Sequence, residues 1–91
     1  MRRIDAECVC EAFQRTGLDW RRRAEYDRFT VSGADGVEHE FLFTRLAGHW
    51  YMIHGSRAQR DATSRVWGMD CVDGMTVSRL AAVIGRRVTR T

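Results

Sequence analysis

Ninety-one residues, 44% hydrophobic and 30% charged with a net charge of +3, suit one small globular domain with a single modest core. The longest apolar runs are only a few residues, which excludes a membrane-spanning helix. The acids of Met1-Arg2-Arg3-Ile4-Asp5-Ala6-Glu7 stand where a signal peptide needs an apolar run, so a cytoplasmic location is expected.

A first helix is expected over about 5–16. Asp5 can cap it, Glu7 adds negative charge to its first turn, and Ile4 and Val9 fit a hydrophobic staple. Cys8, Val9, Ala12 and Phe13 form its apolar stripe, and Gly17 suits a left-handed end, with Leu18 placed to meet Phe13. Asp19-Trp20-Arg21-Arg22-Arg23 reads as a charged connector. Strands follow at about 24–32, 37–46 and 49–55, separated by the Gly33-Ala34-Asp35-Gly36 and Ala47-Gly48 turns. Residues 56–64 read as a loop or short helix, and 65–69 as a fourth strand or an extended segment. A closing helix begins after Thr76, with Met75 and Leu80 as its staple and Val77, Leu80, Ala81, Ile84 and Val88 on one face. The fold class is α+β: a small single domain over 1–91 in the order α-β-β-β-(β)-α, an antiparallel meander with helices packed on one face.

Turn chemistry selects a register. A three-residue loop, 34–36, puts Phe29 opposite Phe41 and Val31 opposite His39. A loop of two or four residues splits the apolar sets of the two strands between opposite faces. A two-residue Ala47-Gly48 loop puts Arg45 opposite Trp50 and Phe43 opposite Met52. One face then gathers Phe29, Val31, Val37, Phe41, Phe43, Trp50 and Met52, with His39, His54 and Arg45, and is the expected core face. The other carries Tyr26, Arg28, Thr30, Glu38, Glu40, Leu42, Thr44, Leu46, His49, Tyr51 and Ile53, and is expected to be half exposed.

No constellation carries chemistry. Three cysteines, Cys8, Cys10 and Cys71, cannot all pair within one chain, and reduced thiols are expected. Cys8 and Cys10 project to different sides of a helix, with Cys8 read as buried and Cys10 as exposed. His39 and His54 share the core face with no carboxylate or thiolate evident beside them, so no metal is expected. There is no nucleophile elbow, paired-carboxylate frame or phosphate-cradling loop. Neither enzyme activity nor a cofactor is expected.

The basic residues are all arginine. Residues 1–23 carry six against four acids, 24–48 two against five, and 49–91 seven against three, so an acidic middle is flanked by basic ends. Arg21, Arg22, Arg23, Arg57, Arg60, Arg86 and Arg87 are candidate contacts to phosphate or to an acidic surface. The α-β-β-β-α order is similar to that of double-stranded RNA-binding domains. That family's Gly-Pro-x-His loop has no counterpart in a chain without proline, and here the last helix begins Thr76-Val77-Ser78-Arg79 rather than on lysines. Use of Tyr26 and Tyr51 as base-stacking platforms meets Glu38 and Glu40 on the same face, which repel phosphate.

The expected function is therefore binding, to a protein or nucleoprotein partner, through Tyr26, Arg28, Glu38, Glu40, Leu42, Tyr51 and Ile53 on the second sheet face. The same face could serve a homodimer. Size, lack of motifs and mixed charge are in the general style of small phage- or mobile-element-encoded inhibitors, anti-CRISPR proteins among them. Such a protein could insert the acidic hairpin of Glu25, Asp27, Asp35, Glu38 and Glu40 into a host complex's nucleic-acid channel, or hold its acidic surface with arginines. The alternative is direct binding of an RNA or DNA backbone by the arginines.

Overall fold

Helix α1, Ala6–Thr16, starts at its expected cap: the Asp5 carboxylate accepts the Cys8 backbone N–H at 2.8 Å, satisfying a donor that every helix start leaves over. It ends at Gly17, whose φ of 70° is left-handed and whose N–H donates to the Gln14 carbonyl at 3.2 Å. The structure is a computed structural model that describes residues 5–23, 28–33, 37–56 and 68–89. After α1 come β1 (Asp19–Arg23), β2 (Arg28–Ser32), β3 (Glu38–Leu46), β4 (His49–Ser56), β5 (Gly68–Cys71) and α2 (Val77–Thr89). The strands form one antiparallel sheet in the order β1-β2-β3-β4-β5.

The stretch read as a connector is therefore an edge strand. Arg22 pairs with Phe29, and Arg23 with Arg28. Three consecutive arginines hide any apolar alternation, yet charged side chains are well suited to a sheet edge, where they deter further pairing. The undecided stretch contributes the opposite edge strand, β5, from Gly68 onward; residues 57–67, like 24–27 and 34–36, lie outside those described. A five-stranded sheet also removes the topological similarity to double-stranded RNA-binding domains, which rested on three strands.

Both inferred registers are present. Phe29 faces Phe41 and Val31 faces His39 across β2–β3, with the Gly33 N–H donating to the Val37 carbonyl at 3.0 Å. Phe43 faces Met52 and Arg45 faces Trp50 across β3–β4. The buried cluster accordingly holds Phe29, Val31, Phe41, Phe43 and Met52 from one face. It joins them to Val9, Ala12 and Phe13 of α1 and to Val77, Leu80, Val83, Ile84 and Val88 of α2. Val83 was not anticipated, because it widens the stripe of α2 beyond the predicted row. Phe13 is the hub: its ring stacks on Phe29 with centroids 4.6 Å apart and on Trp20 at 5.7 Å, and it meets Phe41 and Phe43 edge-on at 5.4 and 6.3 Å. These separations fall in the range where aromatic pairs attract beyond simple burial.

Cys8 and Cys10 are both half-buried and pack against this cluster, whereas Cys71 is exposed. The expected contrast between Cys8 and Cys10 is thus absent, because the core flanks α1 on both sides of its stripe. At α2 the Thr76 hydroxyl accepts the Arg79 N–H at 3.2 Å and the Thr76 carbonyl the Leu80 N–H at 2.9 Å. Arg15 of α1 reaches across to the Ser78 hydroxyl at 2.8 Å. No helix among the described residues is long and apolar enough to cross a membrane.

The β3–β4 turn has positive φ at both central residues, 50° at Ala47 and 81° at Gly48, the geometry that favours Asn-Gly. Left-handed φ costs a residue with a Cβ about 1–2 kcal/mol, and Asn bears that cost best. Ala47→Asn is expected to raise stability by about 0.5 kcal/mol and Ala47→Val to lower it by about 1 kcal/mol or more. The readout is the urea midpoint at unchanged slope; equal midpoints for the two variants would contradict the turn geometry.

Candidate functional site

Alternation puts one side chain in two from every strand onto the face away from the aromatic cluster. Registers then align these side chains into rows running across the sheet. One row spans it edge to edge: Arg23 on β1, Arg28 on β2, Leu42 on β3, Ile53 on β4 and Met69 on β5. Its cations stand at one edge and its apolar side chains at the other. The row beside it runs Arg21, Thr30, Glu40, Gly55. On the other side Thr44, Tyr51 and Cys71 align.

Near the middle lies a recess of about 360 Å³ lined by Arg28, Glu40, Phe41, Leu42 and Ile53. Four of those five were expected on the partner-binding face. Tyr51 and Glu38 are partly exposed on the same face. Tyr26, the remaining member of that set, lies outside the described residues. The centre of the face is more covered than expected, with Thr30 7% and Glu40 9% exposed. The two large apolar side chains that stand out among the described residues, Met69 at 57% and Leu46 at 49%, both belong to this face.

The arginines separate into different environments. Alternation divides Arg21 to Arg23: Arg22 lies over the Phe29 ring with its guanidinium carbon 6.0 Å from the centroid, while Arg21 and Arg23 project on the second face. Arg86 is exposed on α2, and Arg57 and Arg60 lie outside the described residues. Arg87 is committed within the fold, donating to the Asp70 carboxylate through Nε at 3.0 Å and Nη2 at 2.6 Å. This is the bidentate pairing that fixes geometry best.

Asp70 also takes the imidazole of His54, with His54 Nε2 3.1 Å from its Oδ2. A carboxylate therefore stands beside His54 after all, delivered by β5, whose Asp70 pairs with Met52 on the core face. The Arg87 hydrogen bonds hold the Asp70 carboxyl below the ordinary carboxylate range, with His54 adding to the effect. Burial is the largest influence on His54 and pulls its pKa below 6.5, opposed by Asp70 and reinforced by Arg87. Gly68 makes this packing possible: a Cβ there would lie 2.1 Å from His54 Cε1 and 2.3 Å from Nε2. His39, on the same face, is 8% exposed, and its Nε2 is buried without a hydrogen-bond partner among the described residues.

A second histidine–carboxylate pair lies where β4 begins. His49 Nδ1 is 2.6 Å from Asp73 Oδ2, and Asp73 Oδ1 accepts the Trp50 N–H at 2.8 Å. That backbone bond is the main cause of a lowered Asp73 pKa, followed by His49. Such a dyad orients an imidazole, but nucleophilic catalysis also needs a hydroxyl or thiol bonded to that ring, and none is found on His49 among the described residues. No group of three or more His, Cys, Asp or Glu among the described residues is placed to hold a metal ion.

Comparison with protein-family models, curated proteins and solved structures finds no match to this chain.

The Asp70 network predicts how stability depends on acid. His54 has a lowered folded pKa, so the unfolded chain protonates first. Stability is full above pH 6.5 and declines as pH falls from there through the folded value. Asp70, also lowered, contributes above pH 3.8 and is lost as pH falls through its folded value. Urea midpoints from pH 8 to 3 should therefore fall in two stages, and His54→Gln should flatten the first. Gly68→Ala should cost about 1–3 kcal/mol by forcing His54 off Asp70. An unchanged midpoint in Gly68→Ala would show that the ring is not held there.

Proposed function

We propose that the chain is a non-enzymatic binding domain that docks a protein partner through its second sheet face. The observation that carries this reading is the apolar half-row Leu42, Ile53 and Met69, which ends on a methionine more than half exposed and runs beside a recess. An apolar centre with charged and aromatic residues around it has the composition of a protein interface, and large exposed apolar side chains on one face are otherwise a liability. Tyr51, Arg28 and Glu38 supply the surrounding residues. Methionine adapts to irregular partner surfaces because its side chain is long, unbranched and polarisable.

The inhibitor form of this reading, docking on a host nucleoprotein complex, draws support only from chain size and mixed surface charge. The acidic hairpin is a poor candidate for insertion into a nucleic-acid channel. Of its five acids, Glu40 is buried, Glu38 is half-buried, and the others lie outside the described residues. Direct nucleic-acid binding is weakened for a different reason. A phosphate track across this face would pass Glu38 and Glu40, and Arg87 is already paired with Asp70.

The test is co-purification with the chain as bait, comparing wild type, Leu46→Asp/Met69→Asp and the off-face control Arg79→Glu. Both substituted positions in the first variant are exposed, so its circular dichroism spectrum should match wild type. A partner retained by wild type and the control but reduced at least about tenfold by the sheet-face variant is the expected result. Equal retention by all three would place the interface elsewhere.

A further inference from the structure

Resting on that docking reading, we propose that the partner presents a polarised segment, acidic at one end and apolar at the other. Its acids lie over Arg21 and Arg23, and its apolar side chains over Leu42, Ile53 and Met69. Two observations carry this. First, the edge-to-edge row changes from cation to hydrocarbon in a single step, between Arg28 and Leu42. The row crosses four strand spacings of ~4.8 Å, ~19 Å in all, which about six extended residues can bridge.

Second, the basic end is built against local stability. Arg23 pairs directly with Arg28, and like charges opposite one another in a sheet are destabilising. Arg21 and Arg23 are exposed, and neither is ion-paired with an acid among the described residues. A sheet selected for stability alone would place an acid at one of these positions. Arg21 and Arg23, exposed and without an acidic partner among the described residues, are explained by carboxylates arriving with a partner.

A nucleic acid fits this surface less well. Glu40 lies in the same row as Arg21 and Glu38 in the next row beyond it, and the other end of the face is apolar, so the positive path is one strand pair wide. A phosphate backbone favours a continuous basic groove with stacking platforms.

The experiment selects a random twelve-residue peptide library displayed on phage against the full chain, then maps the winners by amide chemical shifts of the labelled protein. Selected peptides should carry Asp or Glu several residues from an aliphatic or aromatic residue and should perturb β1, β3 and β5 together. Arg21→Glu/Arg23→Glu should weaken them by about tenfold or more, and Arg21→Gln/Arg23→Gln by about threefold. Peptides that map to this face without acidic enrichment, or that bind both arginine variants as tightly as wild type, would overturn the polarised-partner proposal while leaving the docking reading standing. Peptides that map elsewhere, or no selection at all, would remove both. A fluorescent twelve-nucleotide uridine RNA bound more tightly than any peptide, and released by Arg21→Glu/Arg23→Glu, would assign the patch to phosphate instead.

Discussion

Side chains on a strand alternate, so sliding β3 by one residue against β4 would carry Phe41 and Phe43 off the core face and bring Leu42 and Thr44 onto it. Two features prevent the slide. The Ala47-Gly48 turn fixes the pairing of Leu46 with His49, and every later pair follows from it. The ring of Phe13 then meets Phe29, Phe41 and Phe43 together, an arrangement that no shifted register allows. The row from Arg23 to Met69 depends on the same constraint, because it exists only while all five strands keep their registers.

The edges of the sheet are held differently. β1 is tied by Trp20, which stacks on Phe13 and tilts against Phe29, and by Arg22 over that second ring. β5 is four residues long and contributes little apolar burial of its own. A forked ion pair takes the place of that burial: Asp70 is clamped by Arg87 from α2 and by His54 from β4. A partly buried carboxylate with two cationic or imidazole partners is worth keeping only while both are present, since removing one leaves a charge without compensation. The edge that carries Met69 is thus held in place by an acid-sensitive junction on the opposite side of the sheet.

This explains what could be read from the residues and what could not. Both hairpin registers, the caps at Asp5, Gly17 and Thr76, and the membership of the two faces follow from local chemistry: turn residues, alternation and helix periodicity. β1 was hidden because Arg21-Arg22-Arg23 shows no alternation of polarity, even though its backbone alternates. β5 was hidden for a stronger reason. In Gly68-Met69-Asp70-Cys71 the apolar residues face away from the core and the acid faces toward it, which inverts the usual pattern. Arg87, seventeen residues along the chain, and His54 of β4 make that inversion stable, and no local reading supplies either. The second face was legible as a set of residues but not as rows. A row across the sheet needs β1 and β5, the two strands that local patterning missed.

The charge distribution changes meaning once those strands are in place. Along the chain, an acidic middle separates two basic ends. In space, Arg23 from the first basic segment lies beside Arg28 from the acidic one, and Arg87 from the last segment is neutralised by Asp70. Segment totals therefore predict neither where positive potential accumulates nor where it cancels; pairing decides both. Arg21 and Arg23 have no such compensation among the described residues. They stand on the edge strand, where an exposed cation costs least in desolvation. The same edge position that keeps the sheet from adding another strand also leaves these two charges facing solvent.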